Sequence, residues 1–194
     1  SDNPDIVNRS IEEFEYHTDI IRWMGYGKTF QDFKCNVHIS GKKGPAGIKD
    51  ALKRLSPEAR NSITIENDEN ELEKHVALVL DIHHHLCREN EYILPTDDRV
   101  KRIVDSWRGV RPVIHYSYSR EEWVGHIDTN TKPDFPALLE QGYKKGKLRA
   151  HSDYYPNNAT NEWAWTFTKD FDIMCESKHK QLSSIGFYNS MTGS

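Results

Sequence analysis

The sequence lacks any run of about 18 consecutive apolar residues, the length that a membrane-spanning helix requires. Its first residues also lack the basic segment followed by an apolar segment that is typical of a signal peptide. Cysteine is scarce: Cys35, Cys87 and Cys175 are an odd number in no zinc-ribbon spacing, which favours reduced thiols over a disulfide framework. We therefore expect a protein inside the cell, in the cytoplasm or the nucleus.

A basic excess is absent as well. The formal net charge is -4 and the isoelectric point is near 6.2, whereas proteins that bind nucleic acid through bulk electrostatics carry a basic footprint. Any contact with DNA must therefore be local. Histidine, in contrast, is abundant, with ten residues in 194, and several of them directly follow apolar segments. Their placement is the first indication of a metal site.

Apolar segments of strand length alternate with amphipathic segments of helix length along the chain. The predicted strands are 35–39, 63–65, 77–80, 112–114 and 171–175, and the predicted helices are 6–24, 48–55, 71–75, 99–107, 135–143 and 161–167. Such alternation predicts parallel strands joined by crossover helices, hence an α/β fold. We expect one domain over residues 1–194, with a polar insertion at 117–132 and a polar tail from about 184.

Each predicted strand ends at or beside a side chain that can bind a metal ion. These side chains are His38, Glu66, Asp81, His115 and Glu176. In a (β/α) barrel the C-terminal ends of all strands converge on one mouth, so residues far apart in sequence meet there. Imidazoles and carboxylates together are typical ligands of zinc or manganese, and several carboxylates suggest more than one ion.

The segment 81–85 (DIHHH) carries the densest part of this signal. Alternation along an extended strand puts Asp81 and His83 on one side. If the chain leaves the strand here, His84 can also turn inward, and the residue pattern does not choose between the two histidines.

Basic and aromatic residues supply candidates for substrate contact. Lys42 and Lys43 follow His38, and a basic run precedes His151, so both groups could reach phosphates, although solvated loops have the same composition. Five aromatic residues could stack on unpaired bases, although each could equally pack in the core or at the rim: Tyr116, Tyr118, Trp123, Tyr154 and Tyr155. We name Lys42, Lys43 and Tyr116 as candidate substrate-binding residues.

Seven segments occur in the order in which they occur in the UV damage endonuclease family. They are 3–12 (NPDIV followed by SIE), 37–38 (VH), 65–68 (IEND), 81–85 (DIHHH), 111–115 (RPVIH), 151–154 (HSDY) and 174–178 (MCESK). The chain resembles this family over nearly its whole length. The resemblance implies a (β/α)8 TIM barrel, of which the chain forms the C-terminal portion with about five of the eight strands.

The resemblance also implies two or three divalent metal ions, Mn2+ and/or Zn2+, in the barrel mouth. The implied ligands are His38, Glu66, Asp81, His84, His115, His151 and Glu176. It favours His84 over His83, and it gives catalytic roles to the carboxylates Glu66, Asp81 and Glu176. Val113 departs from the family pattern, because the family has a lysine two residues before the histidine of this strand.

The implied activity is a nick in damaged double-stranded DNA, 5′ to UV photoproducts or abasic sites. Because five strands do not close an eight-stranded barrel, we expect the N-terminal strands to come from the same or a companion polypeptide. Two alternatives stay open: a xylose-isomerase-like sugar isomerase or epimerase, which also binds metal at strand ends, and a degenerate barrel that serves as a non-enzymatic DNA-binding module.

Overall fold

The structure is a computed structural model that describes residues 3–26, 29, 34–38, 44–66, 76–124 and 127–194. Within these ranges it has five parallel strands connected by helices, and the strand order follows the chain order from first to last. The strands are β1 (Cys35–His38), β2 (Ile63–Glu66), β3 (Ala77–Asp81), β4 (Val113–Tyr116) and β5 (Asp172–Cys175). The predicted α/β fold with five strands is confirmed.

Ten α-helices and one 3-10 helix lie in the described ranges. They are α1 (Pro4–Trp23), α2 (Gly44–Arg54), α3 (Pro57–Ser62), α4 (Ile82–Glu89), α5 (Asp98–Ser106), α6 (Glu121–Val124), α7 (Phe135–Glu140), α8 (Lys145–Leu148), α9 (Asn158–Trp165), the 3-10 helix Thr166–Lys169, and α10 (Gln181–Thr192). The helix predicted at 71–75 and the strand residue predicted at 39 lie outside the described residues.

The chain divides into two compact units. The first consists of Ser1–Val79 and Lys101–Val110, and the second of Leu80–Val100 and Arg111–Ser194. The strand β3 belongs to both units: its first three residues pair with β2, and its last two pair with β4. β2 and β3 are buried along their whole length. Burial on both faces explains the continuous apolar run at the start of β3, Ala77 to Leu80.

The first unit has a core of aliphatic side chains between the helices and the sheet. Its buried members are Leu52, Leu55, Ala59, Ile63, Ile65, Val76 and Leu78, and Phe14 of α1 packs against them. The backbone of Leu78 is bonded on both sides: its N–H donates to Ser106 Oγ at 3.0 Å, and Trp107 Nε1 donates to its carbonyl at 2.6 Å. These contacts hold the start of β3, and β3 leads to Asp81.

The second unit has a core dominated by aromatic side chains. Tyr116 and Tyr155 stack with ring centroids 4.9 Å apart, and Phe187 of α10 packs on both at 5.3–5.4 Å. Arg111 joins the end of the 3-10 helix to β5, because its guanidinium donates to Asp172 and to the carbonyls of Thr168, Lys169 and Phe171.

The helix α10 occupies the segment for which the sequence predicts a polar tail. Its apolar side chains do not share one face: Phe187 is buried, whereas Leu182, Ile185 and Tyr188 are more than half exposed. The helical period was therefore not visible in the sequence. No helix in the described part of the chain is both long enough and apolar enough to cross a membrane.

Candidate metal centre

The ends of β1 and β2 bring the first two predicted ligands together. His38 is paired with Glu66 in the parallel register, and His38 Nε2 lies 3.4 Å from Glu66 Oε2. Glu66 is buried, whereas the His38 side chain is 71% exposed. Asn36 Nδ2 also donates a hydrogen bond to Glu66 Oε2 at 3.0 Å, and Asn36 Oδ1 accepts one from Thr64 Oγ1. Both neighbours on β1 thus contact the same carboxylate oxygen, Oε2 of Glu66.

Asp81 has two roles at the end of β3. It is the N-cap of α4, because its Oδ1 accepts a hydrogen bond from the backbone N–H of His84 at 2.7 Å. Its Oδ2 lies 3.2 Å from His84 Nδ1. The strand ends at Asp81, so the next residues follow the helical period and His84 falls on the same side as Asp81. Asp81 is fully buried.

His151 approaches the same histidine from a distant part of the sequence. Its Nε2 lies 3.3 Å from His84 Nε2. An isolated antiparallel bridge to Ser119 holds His151, and the adjacent Ser152 N–H donates to the carbonyl of Tyr118 at 2.8 Å. His84 therefore has Asp81 at one ring nitrogen and His151 at the other.

His115 and Glu176 form the fourth pair. His115 Nδ1 lies 3.1 Å from Glu176 Oε1, and the backbone N–H of Glu176 extends the ladder by donating to the carbonyl of Tyr116 at 2.9 Å. His115 is paired with Asp81 in the β3–β4 register, and the two offer ligand atoms within 4.8 Å of one another. Asp81, His115 and Glu176 thus lie at or directly beside the C-terminal ends of β3, β4 and β5, whereas His84 lies in the first turn of α4 and His151 in an isolated bridge.

The four pairs have separations that suit shared metal ligands. They range from 3.1 to 3.4 Å, and two oxygen or nitrogen ligands bound to one ion at 2.0–2.2 Å are roughly 3.0–3.6 Å apart. Glu66 in the first unit, and Asp81 and His115 in the second, are buried side chains whose oxygen or nitrogen atoms can bind a metal ion. Carboxylate and imidazole atoms together fit zinc or manganese. The donor set therefore fits a divalent ion.

His83 points to a different environment from that of His84. It is buried, and its Nε2 lies 3.7 Å from Cys87 Sγ. Burial, with a smaller contribution from His151 and His84, lowers the pKa of His83 to about 3, so its ring is neutral at pH 7. Burial and the charge of Asp81 raise the pKa of Cys87 to about 12, which keeps it a thiol.

The described part of the chain contains no surface formed by the three predicted substrate-binding residues. Lys42 and Lys43 lie outside the described residues. The prediction that Tyr116 contacts the substrate is corrected, because its side chain is fully buried in the core. Its hydroxyl donates to Asn161 Oδ1 at 2.8 Å. Tyr118 and Tyr155 are buried as well, whereas Tyr154 is 50% exposed. In the basic run before His151, Lys145 Nζ donates to the carbonyl of Arg88.

The comparison with protein families agrees with this site. The sequence profile of the family described as UV-endonuclease UvdE matches residues 1–191. The chain belongs to the UV-endonuclease UvdE family. The resemblance inferred from the sequence segments is therefore confirmed.

Individual UvdE relatives are similar along the whole chain. It is 23% identical over 215 residues to a UV DNA damage endonuclease of Bacillus cereus (strain Q1), covering 99% of this chain and 58% of the relative. The corresponding protein of Bacillus mycoides (strain KBAB4) is 24% identical, with 95% and 56% covered. The crystal structure of SacUVDE matches with a TM-score of 0.68 and 21% identity, covering 100% of this chain and 61% of that one.

The structural match confirms the partial α/β barrel, and the chain spans about three-fifths of the length of the relatives it matches. One residue that positions a candidate metal-binding side chain was not predicted from the sequence. Asn36 contacts Glu66, and the available signal was its position two residues before His38, on the same side of β1.

Proposed function

We propose that this chain is part of a metal-dependent endonuclease that nicks damaged DNA during repair inside the cell. The observation that supports the proposal is the set of carboxylate and imidazole ligands at strand ends in a UvdE-family fold. Family membership also favours a nuclease over the sugar isomerase or epimerase. The Bacillus relatives are named UV DNA damage endonucleases.

In the proposed site, His38, Glu66, Asp81, His84, His115, His151 and Glu176 hold two or three divalent ions, manganese or zinc. Bound ions would supply a hydroxide at neutral pH and stabilise charge on the phosphate. Glu66, Asp81 and Glu176 carry the catalytic carboxylates. Their role is to fix the ions and to orient the proton on the attacking water. Asn36 orients Glu66 through its side-chain amide.

The proposed substrate is duplex DNA with a UV photoproduct or an abasic site, cut on the 5′ side of the lesion. A damaged nucleotide stacks and pairs poorly, so extruding it from the helix costs less free energy than extruding a normal one. This difference would supply part of the selectivity.

We also propose that the remaining barrel strands come from the same or a companion polypeptide. Among the described strands, β5 pairs with β4 alone, and Met174 on β5 is 53% exposed. A strand added here would pair with the backbone groups that an edge strand leaves available. The length of the relatives is consistent with such an addition.

A nicking assay tests the proposed activity. The substrate is a labelled duplex with a single thymine dimer, incubated with Mn2+ and with the chain, its Glu176→Gln variant or its Glu162→Gln variant. Glu162 is an exposed residue of α9 and serves as the matched control. With the remaining barrel strands supplied to each protein, we expect the unmodified sequence and Glu162→Gln to nick the duplex 5′ to the dimer. Glu176→Gln should lose at least about 100-fold in rate, as expected for removing a charged group from the catalytic site.

Nicking that is equal in all three proteins would contradict the role of Glu176. Bound metal together with DNA binding but no nicking would instead favour the degenerate DNA-binding module. Val113→Lys then separates two explanations, because it restores the family residue in β4. If Val113→Lys nicks the duplex, the absence of nicking in the unmodified chain is due to Val113.

A further inference from the structure

Tyr154 and His179 form an exposed aromatic platform in the loops that follow His151 and Glu176. Their rings stack with centroids 4.3 Å apart and an angle of 16° between the ring planes. Tyr154 is 50% exposed, and the His179 side chain is 40% exposed. Stacked rings that stay in solvent leave an aromatic face available to a further planar group.

The platform is built from two loops that each begin at a candidate ligand. Tyr154 lies three residues after His151, and His179 lies three residues after Glu176. The loops are joined by two backbone hydrogen bonds, from Lys178 N–H to the carbonyl of Ser152 at 3.1 Å and from His179 N–H to the carbonyl of Asp153 at 3.2 Å. The platform is therefore tied to the metal centre through short pieces of backbone.

Side-chain contacts hold each loop in place. The Ser152 hydroxyl donates to the carbonyl of Tyr154, and Ser177 Oγ is hydrogen-bonded to Ser183 Oγ on α10. Asp153 Oδ2 lies 3.8 Å from His179 Nδ1. The stacked geometry is thus supported by the loops on both sides.

Positive charge flanks the platform. Lys178 and Lys180 are exposed and lie on either side of His179 in the sequence. Lys180 has φ 51° and ψ -128°, a backbone conformation that residues other than glycine rarely adopt. Backbone strain of this kind is concentrated at functional positions. This position holds a lysine, although glycine would adopt the conformation without strain.

The geometry points to a nucleotide-binding subsite in which one unpaired base stacks on the Tyr154–His179 platform while Lys178 and Lys180 contact the adjoining phosphates. This inference rests on the proposed function, since it assigns the bound group to DNA. Base stacking on aromatic side chains tolerates any sequence, because every base has a π face. The platform would hold a nucleotide next to the site of the nick.

Direct binding tests the subsite without the chemistry of the nick. The probe is a short fluorescein-labelled single-stranded oligothymidylate, which is undamaged, and binding to the full chain is followed by fluorescence anisotropy. We compare Tyr154→Leu, which removes the ring, with Tyr154→Phe, which keeps it. Tyr188→Leu is the matched control, since Tyr188 on α10 is 54% exposed.

We expect Tyr154→Leu to weaken binding by about 5- to 150-fold, the range expected for one stacked base. Tyr154→Phe and Tyr188→Leu should bind like the unmodified chain. The double variant Lys178→Gln/Lys180→Gln should reduce the slope of log K against log salt by about 1.4, or about 0.7 for each phosphate contact in a single strand. The exposed residue Lys169 on the 3-10 helix, changed to Gln, should leave the slope unaltered.

The subsite is ruled out if Tyr154→Leu binds as tightly as the unmodified chain, if Tyr154→Phe loses as much as Tyr154→Leu, or if the unmodified chain does not bind the probe. The nicking assay separates this failure from failure of the proposed function. Binding that depends on the ring without any nicking retains the subsite and removes the endonuclease. Nicking, together with probe binding that is unchanged by Tyr154→Leu, would retain the endonuclease and remove the subsite.

Discussion

The Nε2 atoms of His84 and His151 lie 3.3 Å apart, although the two residues are 67 positions apart in the sequence. Two imidazole nitrogens at this separation cannot both carry a proton, because their hydrogens would collide. One nitrogen must therefore accept a hydrogen bond, or both must bind the same cation. The other ring nitrogen of His84, Nδ1, lies 3.2 Å from Asp81 Oδ2. This carboxylate oxygen favours a proton or a cation between itself and Nδ1.

Metal removal should lower the thermal stability of the chain. At a free Mn2+ concentration of 100 times Kd, binding to the folded state adds about 2.7 kcal/mol, which corresponds to roughly 5–10 °C in Tm for a chain of this size. We expect chelation to abolish this increment in the unmodified chain. Differential scanning fluorimetry with and without EDTA measures it.

The contribution of His151 can be separated from general effects of losing a histidine. His151→Gln should show a smaller Mn2+-dependent rise in Tm, whereas His17→Gln should keep the full rise. His17 lies on α1, where Nδ1 contacts the carbonyl of Glu13. An equal rise in both variants would remove His151 from the ligand set.

Two substitutions of Asp81 distinguish its capping role from its metal role. Asp81→Asn keeps an N-cap side chain for α4, whereas Asp81→Ala removes it and should cost about 0.5–2 kcal/mol in the metal-free protein. Both substitutions should remove the increase in stability that Mn2+ gives. Urea unfolding curves of the unmodified chain and the two variants, each in EDTA and in Mn2+, provide the six free energies of unfolding. If Asp81→Asn and Asp81→Ala lose the same stability in EDTA, the cap hydrogen bond of α4 does not stabilise the fold.

Much of this site could be predicted because parallel strands have their last residues at the same edge of the sheet. His38, Glu66, Asp81 and His115 were therefore located from apolar runs alone, although their pairings came from the register. The choice between His83 and His84 could not be made from alternation. The strand ends at Asp81, and the period changes from two to about 3.6 residues within the segment.

Tyr116 and α10 show what the sequence pattern does not contain. An aromatic residue after a strand can face solvent or the core, and only the contacts of Tyr116 with Tyr155, Phe187 and Asn161 decide that it is buried. The helix α10 packs through few apolar residues and leaves others exposed. Its face is determined by what it contacts, so its own periodicity does not reveal it.

Lys180→Gly should stabilise the chain. The change relieves a backbone conformation that costs about 1–3 kcal/mol for a residue with a side chain, while glycine adds about 0.5–1 kcal/mol of unfolded-state entropy. We expect a net gain of about 1 kcal/mol. Lys180→Ala keeps the strain and should be near neutral, so the comparison of the two unfolding curves isolates the backbone effect. Equal stability of Lys180→Gly and Lys180→Ala would contradict the proposed backbone strain at Lys180.

The start of α5 should lose stability in acid. Hydrogen bonds from Arg99 lower the pKa of Asp97 from its ordinary value near 3.8 to about 2. A carboxyl whose pKa is lower in the folded state stabilises the fold above the unfolded pKa, and this contribution disappears as the pH falls from about 4 to about 2. Because the pair is partly exposed, the effect is at most about 1 kcal/mol.

The measurement for this pair is the difference in stability between the unmodified chain and Asp97→Asn at several pH values. We expect the unmodified chain to be more stable at pH 7 and the difference to decrease toward pH 2. A difference that stays constant over this range would show that Asp97 acts through hydrogen bonds that do not depend on its charge.

The two loops that follow His151 and Glu176 are bonded to each other through the backbone of Ser152, Asp153, Lys178 and His179. Because of these bonds, we expect a substitution that moves the backbone of one loop to move the other loop as well, and with it the positions of His151 and Glu176. Exchange of these segments between homologues should therefore transfer both loops together. A chimera that receives only one would combine a foreign loop with a native ligand position and misalign both.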